Sequence, residues 1–423
     1  MRPFLKQRQT MNLKKYACGL DFGTSNSVLS ITDTETRKEI FSCSESSILF
    51  FPPVSDWTYY VGKEAHNHYV KSEMQGRLLK SVKTLLRQDK FISTNIYGKK
   101  MTPEQLVTCI IVHLKQKAEA FLGQEITDVV LGRPAIFSED PKQEALAVKR
   151  LMLGAQQAGF RNIRLQLEPI AAAFSYEEQL TKSENVLVAD FGGGTSDFTI
   201  MRLSPDKRGQ ENRAEDIIAH GGVYIGGDMF DSEIMWHKIT PGLGRGVTYE
   251  SYGKEIEVPT SLYRELRSWE RSFLLKESKL RRSMDSYYVF SGNNPRIDNV
   301  RVLIDNNLIF SLFKKIEKAK TDLSDQTETL IEFSKETIEI SESFDLSEFE
   351  TIISKHTEEI EQYILNLLQS VSYGTDDIDA VFITGGSSLV VPVRNILYRI
   401  FGQDKIRTGD TFNSVAYGLS ISN

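Results

Sequence analysis

The chain is poor in several features that would direct its reading elsewhere. Only three of its 423 residues are cysteine, Cys18, Cys43 and Cys109. They are odd in number, widely spaced and without a C-x-x-C pair, which excludes a disulfide framework and a cysteine zinc site and leads us to expect a reducing, cytoplasmic location. With only 12 prolines and a hydrophobic content of 40%, wholesale disorder is excluded. Positive charge is not in excess: 51 Lys+Arg face 57 Asp+Glu, a net charge of −6. A dedicated nucleic-acid binder needs a strongly basic face, so none is expected. No apolar run approaches a membrane span, and charges interrupt the N-terminal segment where a secretory leader needs an unbroken apolar core. No membrane association is expected either. There is also no G-x-x-x-x-G-K-[ST] run and no G-x-G-x-x-G, which removes the main support for P-loop and dinucleotide-binding readings.

What is present is an alternation of strand-like and helix-like segments, the signature of an α/β protein. From Tyr16 the chain reads YACGLD, then the small-residue turn FGTSNS, then VLSITD. The same grammar returns as NVLVAD, FGGGTSD and FTIMRL over 185–203, with Asp190 in the place of Asp21. One structural idea is used twice. Between the two lie a helix from Pro103 that stops at Gly123, a buried strand DVVLGRPAIF, a helix EDPKQEALAVKRLMLGAQQAGF and a helix EPIAAAFSYEEQL. Residues 41–102, with strand-like VSDWTYYVG and a basic helix near Leu78, read as an insertion in the first half; residues 232–340, with a helical SLYRELRSWERSFLLKESKLRRS, read as one in the second. After Asp345, a good helix cap, a long amphipathic helix leads to DAVFITGGSSLVVPV. The expected division is an extension over 1–12, with Met11 an alternative start; a first lobe over 13–184 with its core in 13–40 and 103–184; and a second over 185–423 with its core in 185–231 and 341–423.

The chemistry gathers at the glycine turns. In Asp21-Phe22-Gly23-Thr24-Ser25-Asn26-Ser27 a tight turn aims backbone N–H groups into one concavity, and small residues let an anionic oxygen approach them. Gly192-Gly193-Gly194-Thr195 offers the same surface with fewer side chains in the way. Asp21 and Asp190 each end a strand facing such a turn, and two carboxylates converge on phosphates only if a divalent cation neutralises them; magnesium, held largely through water, is the natural choice. A third turn, Gly385-Gly386-Ser387-Ser388, follows a strand and precedes a helix, an arrangement that holds a nucleoside by its backbone. His66 and His68, an H-x-H pair placed on a strand, read as surface residues rather than metal ligands.

In combination and order, GLDFGTSNS, VLVADFGGGTSDFTI, YIGGDMFD and VFITGGSSLVVPV resemble the phosphate and adenosine motifs of the actin-like ATPase superfamily, specifically the seventy-kilodalton heat-shock (DnaK-type) chaperones. LEPIAAAFSYE resembles the connecting helix that supplies a glutamate near the nucleotide. The resemblance implies an actin-like fold: two lobes built on a duplicated ribonuclease-H-like core, each a mixed sheet flanked by helices, with ATP or ADP and magnesium in the cleft. It implies that Asp21 and Asp190 orient the waters of the metal, with Glu168 beside metal and attacking water. Gly23, Thr24, Ser25 and Asn26 would close one cradle, Gly192, Gly193, Gly194 and Thr195 the other, and Asp197 would polarise the water. Lys83 is implied as the catalytic lysine, Lys80 being the fallback; an ammonium there stabilises charge developing in phosphoryl transfer. Gly226, Gly227 and Asp228 belong to a nucleotide-facing turn, Lys279 and Ser283 to the helix that holds adenosine, and Gly385, Gly386 and Ser387 to the nucleoside turn.

The chain departs from that pattern at Lys276, where the family usually has glutamate, at Leu389 in place of an arginine over the adenine, and at Phe412 in place of an acidic residue. It also ends at Asn423, where a full chaperone continues into a peptide-binding domain and lid, so the match is to short, YegD-type members. The expected function is a magnesium-dependent ATPase acting as a chaperone-like nucleotide switch, with client proteins or co-chaperones as partners. A sugar or small-metabolite kinase, a filament-forming actin-like protein and a non-hydrolysing nucleotide scaffold are the alternatives.

Overall fold

The computed structural model describes residues 15–53, 57–72, 74–210, 213–268, 278–409 and 413–422. The expected extension over 1–12 lies outside them, as do Lys276 and Phe412.

In the first half, alternating apolar residues on either side of the Asp21 turn form two antiparallel strands, β1 (Tyr16–Phe22) and β2 (Asn26–Asp33), and β3 (Glu39–Ser46) continues the meander. The excursion from this sheet therefore starts after Ser46, not at Phe41. It consists of a small sheet of β4 (Ile48–Phe51), β5 (Tyr60–Val61) and β6 (Arg77–Lys80), the helix α1 (Gly62–Lys71), and a hairpin of β7 (Thr94–Ile96) and β8 (Lys99–Met101). The helix expected near Leu78 is strand β6, because Leu78 and Leu79 pair with Phe50 and Leu49 on β4, and a 3-10 turn (Val82–Arg87) follows. His66 and His68 lie on α1 rather than on a strand; the His68 ring stacks on Tyr60 at 3.6 Å between centroids, and His66 lies 5.7 Å from the Phe310 ring.

Helix α2 (Pro103–Leu122) opens on a capping box between Thr102 and Gln105 and stops at Gly123. It returns the chain to the sheet, where β9 (Asp128–Arg133) and β10 (Asn162–Leu167) add in parallel, joined by the crossover helix α3 (Pro141–Gln157). The strand order is β10-β9-β1-β2-β3. Helix α4 (Glu168–Glu177) follows β10 without a loop.

The second half repeats this plan with β11 (Glu184–Phe191), β12 (Ser196–Leu203) and β13 (Ile217–Val223) as the meander. Its excursion runs through α5 (Gly227–Ile234), the hairpin of β14 (Thr248–Ser251) and β15 (Lys254–Glu257), α6 (Thr260–Leu266), α7 (Ser278–Phe290), α8 (Pro295–Asp305), α9 (Ile309–Asp322), and a second hairpin of β16 (Glu328–Lys335) and β17 (Ile338–Asp345). The single helix expected over SLYRELRSWERSFLLKESKLRRS is thus α6 and α7, with residues between them outside those described. Helix α10 (Leu346–Ser370), capped by the Asp345 carboxylate accepting from the Glu348 N–H, leads back to β18 (Ala380–Thr384), α11 (Val391–Phe401), β19 (Ile406–Thr408) and α12 (Ser414–Ile421). The order β13-β12-β11-β18-β19 matches the first sheet strand for strand. Even the ladder irregularity recurs, at Ile31/Thr32 and at Ile200/Met201.

Each sheet has its own core on its outer face, one around Leu20, Ile31 and Ile110 and the other around Phe191, Ile200 and Ile364. A third cluster joins the halves: Ile170–Phe174 of α4 pack on Val186, Val188 and Phe382 of the second sheet, and Leu419 of α12 packs against Val130 of the first. All ten residues of α4 are buried. At the rim of the cleft, Phe310 of α9 is buried among Ile48, Phe50, Ala65 and Tyr69 of the first excursion.

Candidate functional site

The strands β1 and β11 end at equivalent places, and their turns face each other. A Cβ added to Gly193 would lie 2.0 Å from the Ser25 hydroxyl oxygen, so only glycine permits this approach. The second turn is fixed from behind. Gly192 donates its N–H to the Thr195 carbonyl at 2.9 Å; the Gly192 carbonyl accepts from the Ser387 hydroxyl at 2.8 Å and from Gly227 N–H; the Gly193 carbonyl accepts from Asp228 N–H at 2.8 Å. In a trans peptide the N–H lies opposite its carbonyl, so those of Gly193 and Gly194 point away from these partners. The first turn is tied to Ser47, whose hydroxyl donates to the Gly23 carbonyl at 2.7 Å and whose N–H donates to Ser25 at 2.8 Å.

A cavity of about 270 Å3 lies between the turns. Of the residues singled out from the sequence, its wall holds Asp21, Gly23, Thr24, Ser25, Asn26, Lys83, Glu168, Asp190, Gly192, Gly193, Gly194, Thr195, Asp197, Gly227, Asp228, Gly385, Gly386 and Ser387. Gly226 stands behind it, against the Gly193 carbonyl. Leu389 is on the wall.

The charged groups meet at the floor. Lys83, in the 3-10 turn, donates to Glu168 Oε1 at 2.7 Å, both side chains being about nine-tenths buried. Lys80 instead bridges to Asp228 Oδ1 at 3.0 Å, across the cleft. Thr195 donates its hydroxyl to Asp197 Oδ2 at 2.9 Å. Burial, and then the Glu168 carboxylate, push the Asp21 and Asp190 carboxyls well above the usual carboxylate range; the same two causes lift Asp197 to about 7. Burial lowers the proton affinity of Lys83, but Glu168 and Asp21 outweigh it, and the ammonium is held charged. Asp21 Oδ1 is buried without a hydrogen-bond partner among the described residues. With Lys83 taken by Glu168, the crowding of Asp21, Asp190 and Asp197 is relieved by holding protons, and a divalent cation fits the same place because it would stabilise these groups as carboxylates. Among the described residues no three His, Cys, Asp or Glu side chains converge as direct metal ligands.

Ser283 of α7, a helix that packs on α8 and β14, is not on the cavity wall among the described residues, and the Lys279 side chain lies outside them. Glu317 and Lys320 of α9, with Thr321 and Ser324, line the wall instead. Lys320 donates to the Gly227 carbonyl at 3.0 Å and pairs with Asp231 at 2.8 Å. The signal was present: Lys-x-x-x-Ser occurs at 279–283 and again at 320–324, and only the second copy is preceded by a glutamate at the spacing the resemblance implies.

Comparison with known proteins identifies a family for the sequence. The sequence model of the family described as "Hsp70 protein" matches residues 51–241 and 295–423. Chaperone protein DnaK of Thermosipho africanus is 25% identical over 422 residues, covering 97% of this chain and 59% of that protein. DnaK of Thermotoga maritima is 25% identical over 420 residues, 96% of this chain and 59% of its own length, and DnaK of Mycoplasmopsis synoviae 25% over 418, 96% and 58%. The chain thus spans somewhat under two thirds of these relatives.

Proposed function

This chain belongs to the Hsp70 protein family, with the two-lobed actin-like ATPase fold of that family, and from that premise we propose that it binds ATP with magnesium, hydrolyses it, and serves as a chaperone-type nucleotide switch. The observation that carries the reading is the convergence of two duplicated turns on one cavity whose floor sets a single buried ammonium among Asp21, Glu168, Asp190 and Asp197. The division into lobes at 184/185, with excursions after Ser46 and after α5, is part of the same proposal.

In this reading Asp21 and Asp190 hold the water shell of the cation, which when bound neutralises phosphate charge. The N–H groups of the two turns hold the phosphate oxygens. Lys83, kept in place and charged by Glu168, faces the charge that develops as the terminal phosphoryl group leaves. Asp197, oriented by Thr195 and with a proton affinity near neutrality, takes the proton lost by the attacking water. Glu317, Lys320 and Ser324, with Gly385–Ser387 and Leu389, take the nucleoside, in place of Lys279 and Ser283. Because the turns belong to different lobes, a triphosphate touching both favours closure, and loss of its last phosphate weakens the bridge. Clients and co-chaperones are the proposed partners of that movement.

The test is magnesium-dependent ATP binding and turnover by the chain and by Asp190→Ala and Glu168→Gln. Loss of the magnesium dependence in the first, and binding without hydrolysis in the second, are expected; equal hydrolysis by all three would overturn the assignment. Turnover that required an added sugar would mean a kinase instead.

A further inference from the structure

Lys83 reaches the floor of the cavity from an irregular connection. β6 ends at Lys80 and β7 begins at Thr94, and between them the described residues form one 3-10 turn, Val82–Arg87. Ser81, just ahead of the turn, sits at φ +56°, a left-handed conformation that persists only where neighbours hold the chain. The end of such a turn leaves carbonyls without helical donors. One side chain collects them. Arg150, on the crossover helix α3 and 9% exposed, donates from Nη1 to the Leu85, Leu86 and Gln88 carbonyls at 3.1, 3.2 and 2.9 Å, and from Nη2 to the Phe91 carbonyl at 3.0 Å. Its Nε lies 3.9 Å from the Glu104 carboxylate at the start of α2. Only the planar fork of a guanidinium spans carbonyls spread over this length of chain. The place of Arg150 matters as much as its bonds. Helix α3 joins β9 to β10, and β10 runs into Glu168 without a loop. The arginine thus ties the turn that carries Lys83 to the strand–helix–strand unit that delivers Glu168, its partner 85 residues away.

We propose that Arg150 is a positioning residue for Lys83: by gathering these four carbonyls it fixes the turn, and through the turn the ammonium, relative to Glu168 and the cavity. Arg150 itself stands off the cavity wall and acts only through the lysine. This rests on the nucleotide reading above and on the role of Lys83 in it. Moving a catalytic group by about 1 Å costs about a hundredfold in rate, so a clamp on the backbone that carries it bears directly on turnover.

The experiment measures Mg·ATP affinity by titration and the single-turnover rate of labelled ATP hydrolysis for the chain, Arg150→Met, Arg150→Lys and Arg245→Met, and repeats both Arg150 changes in a Lys83→Met background. Arg150→Met is expected to hydrolyse bound ATP about a hundredfold more slowly with affinity unchanged, because Lys83 acts on charge that develops only in the transition state. Arg150→Lys keeps the charge but not the fork and should lose less; it carries the comparison if the methionine variant does not fold. Arg245 serves the Trp236 carbonyl in the second lobe, and Arg245→Met should melt lower yet hydrolyse at the parent's rate. In the Lys83→Met background the ammonium is already gone, so neither Arg150 change should slow hydrolysis further. A full-sized loss on top of Lys83→Met, an unchanged rate in both Arg150 variants, a weakening of affinity that matches the loss of rate, or equal slowing in Arg245→Met would overturn the inference. Failure of the parent to bind or hydrolyse ATP would overturn the nucleotide reading itself.

Discussion

Asp197 shows how much one side chain tells about the state of the site. It is 5% exposed, it accepts from Thr195, and burial followed by the nearby Glu168 carboxylate lifts its pKa to about 7. A folded-state pKa above the unfolded value means that the folded chain holds a proton which the unfolded chain releases from about pH 4 upward, so stability falls as pH rises towards about 7. In the nucleotide-free protein, the denaturation midpoint should therefore decline from about pH 5 to pH 7.5 more steeply in the parent than in Asp197→Asn, which carries no titrating group there. Parallel pH profiles for the two proteins would show that Asp197 is not held protonated. The same residue illustrates what was readable beforehand. Asp197 stands two positions after Thr195 in a motif, and both its place on the wall and its bond to Thr195 are local consequences of that spacing. Its proton affinity is not local, because it depends on Glu168, brought up by another part of the chain.

At the scale of elements, α4 carries a charge at each end. Glu168 begins it, at the floor of the cavity; Glu177 ends it, on the opposite side of the joint between the lobes. Glu177 takes both Arg213 terminal nitrogens at 2.7 Å, and Arg213 Nε donates to Asp216 at 2.5 Å, the side chains of this pair being 3% and 2% exposed. Between these ends lie Ala171, Ala172 and Ala173, small enough for α12 to pack closely. Arg213→Ala would leave a buried carboxylate unpaired, at an expected cost of about 3–5 kcal/mol in urea unfolding. Adding Glu177→Ala should recover part of that loss, because the stranded charge is removed with it. A single-variant loss below about 1 kcal/mol would mean that Glu177 finds water or another partner. The helix itself was legible as an apolar run beginning at Glu168-Pro169. The clamp was not, since its arginine lies 36 residues further along the chain.

Across the whole molecule, the cleft is closed at two levels. Near the turns, Lys80 of the first lobe bridges to Asp228 of the second. At the rim, Phe310 fills a box of Phe50, Tyr69, Ala65 and Ile48. An aromatic side chain removed from such a box loses apolar burial and leaves a cavity. Part of that loss can be relieved by opening, and opening is what nucleotide release requires. Phe310→Ala is expected to release a fluorescent ADP analogue about tenfold faster, equivalent to about 1.4 kcal/mol of lost closure, with far-ultraviolet dichroism unchanged. An unchanged release rate would show that the rim contact does not limit opening.

The sequence by itself determined the duplicated meander, the two facing turns with Asp21 and Asp190 at matching places, and the helix boundaries at Thr102–Pro103, Gly123 and Asp345. Each rests on forces acting within a few residues: alternation of side chains across a strand, glycine at a tight turn, a side chain accepting the free N–H groups of a helix start. The tertiary structure alone decided which lysine meets Glu168 across 85 residues, which of two Lys-x-x-x-Ser segments faces the cavity, and that His66 and His68 lie on a helix beneath Phe310. Those outcomes depend on which surfaces pack together. Two segments with the same local spacing are equivalent until the remainder of the chain buries one against the site and the other against its neighbours.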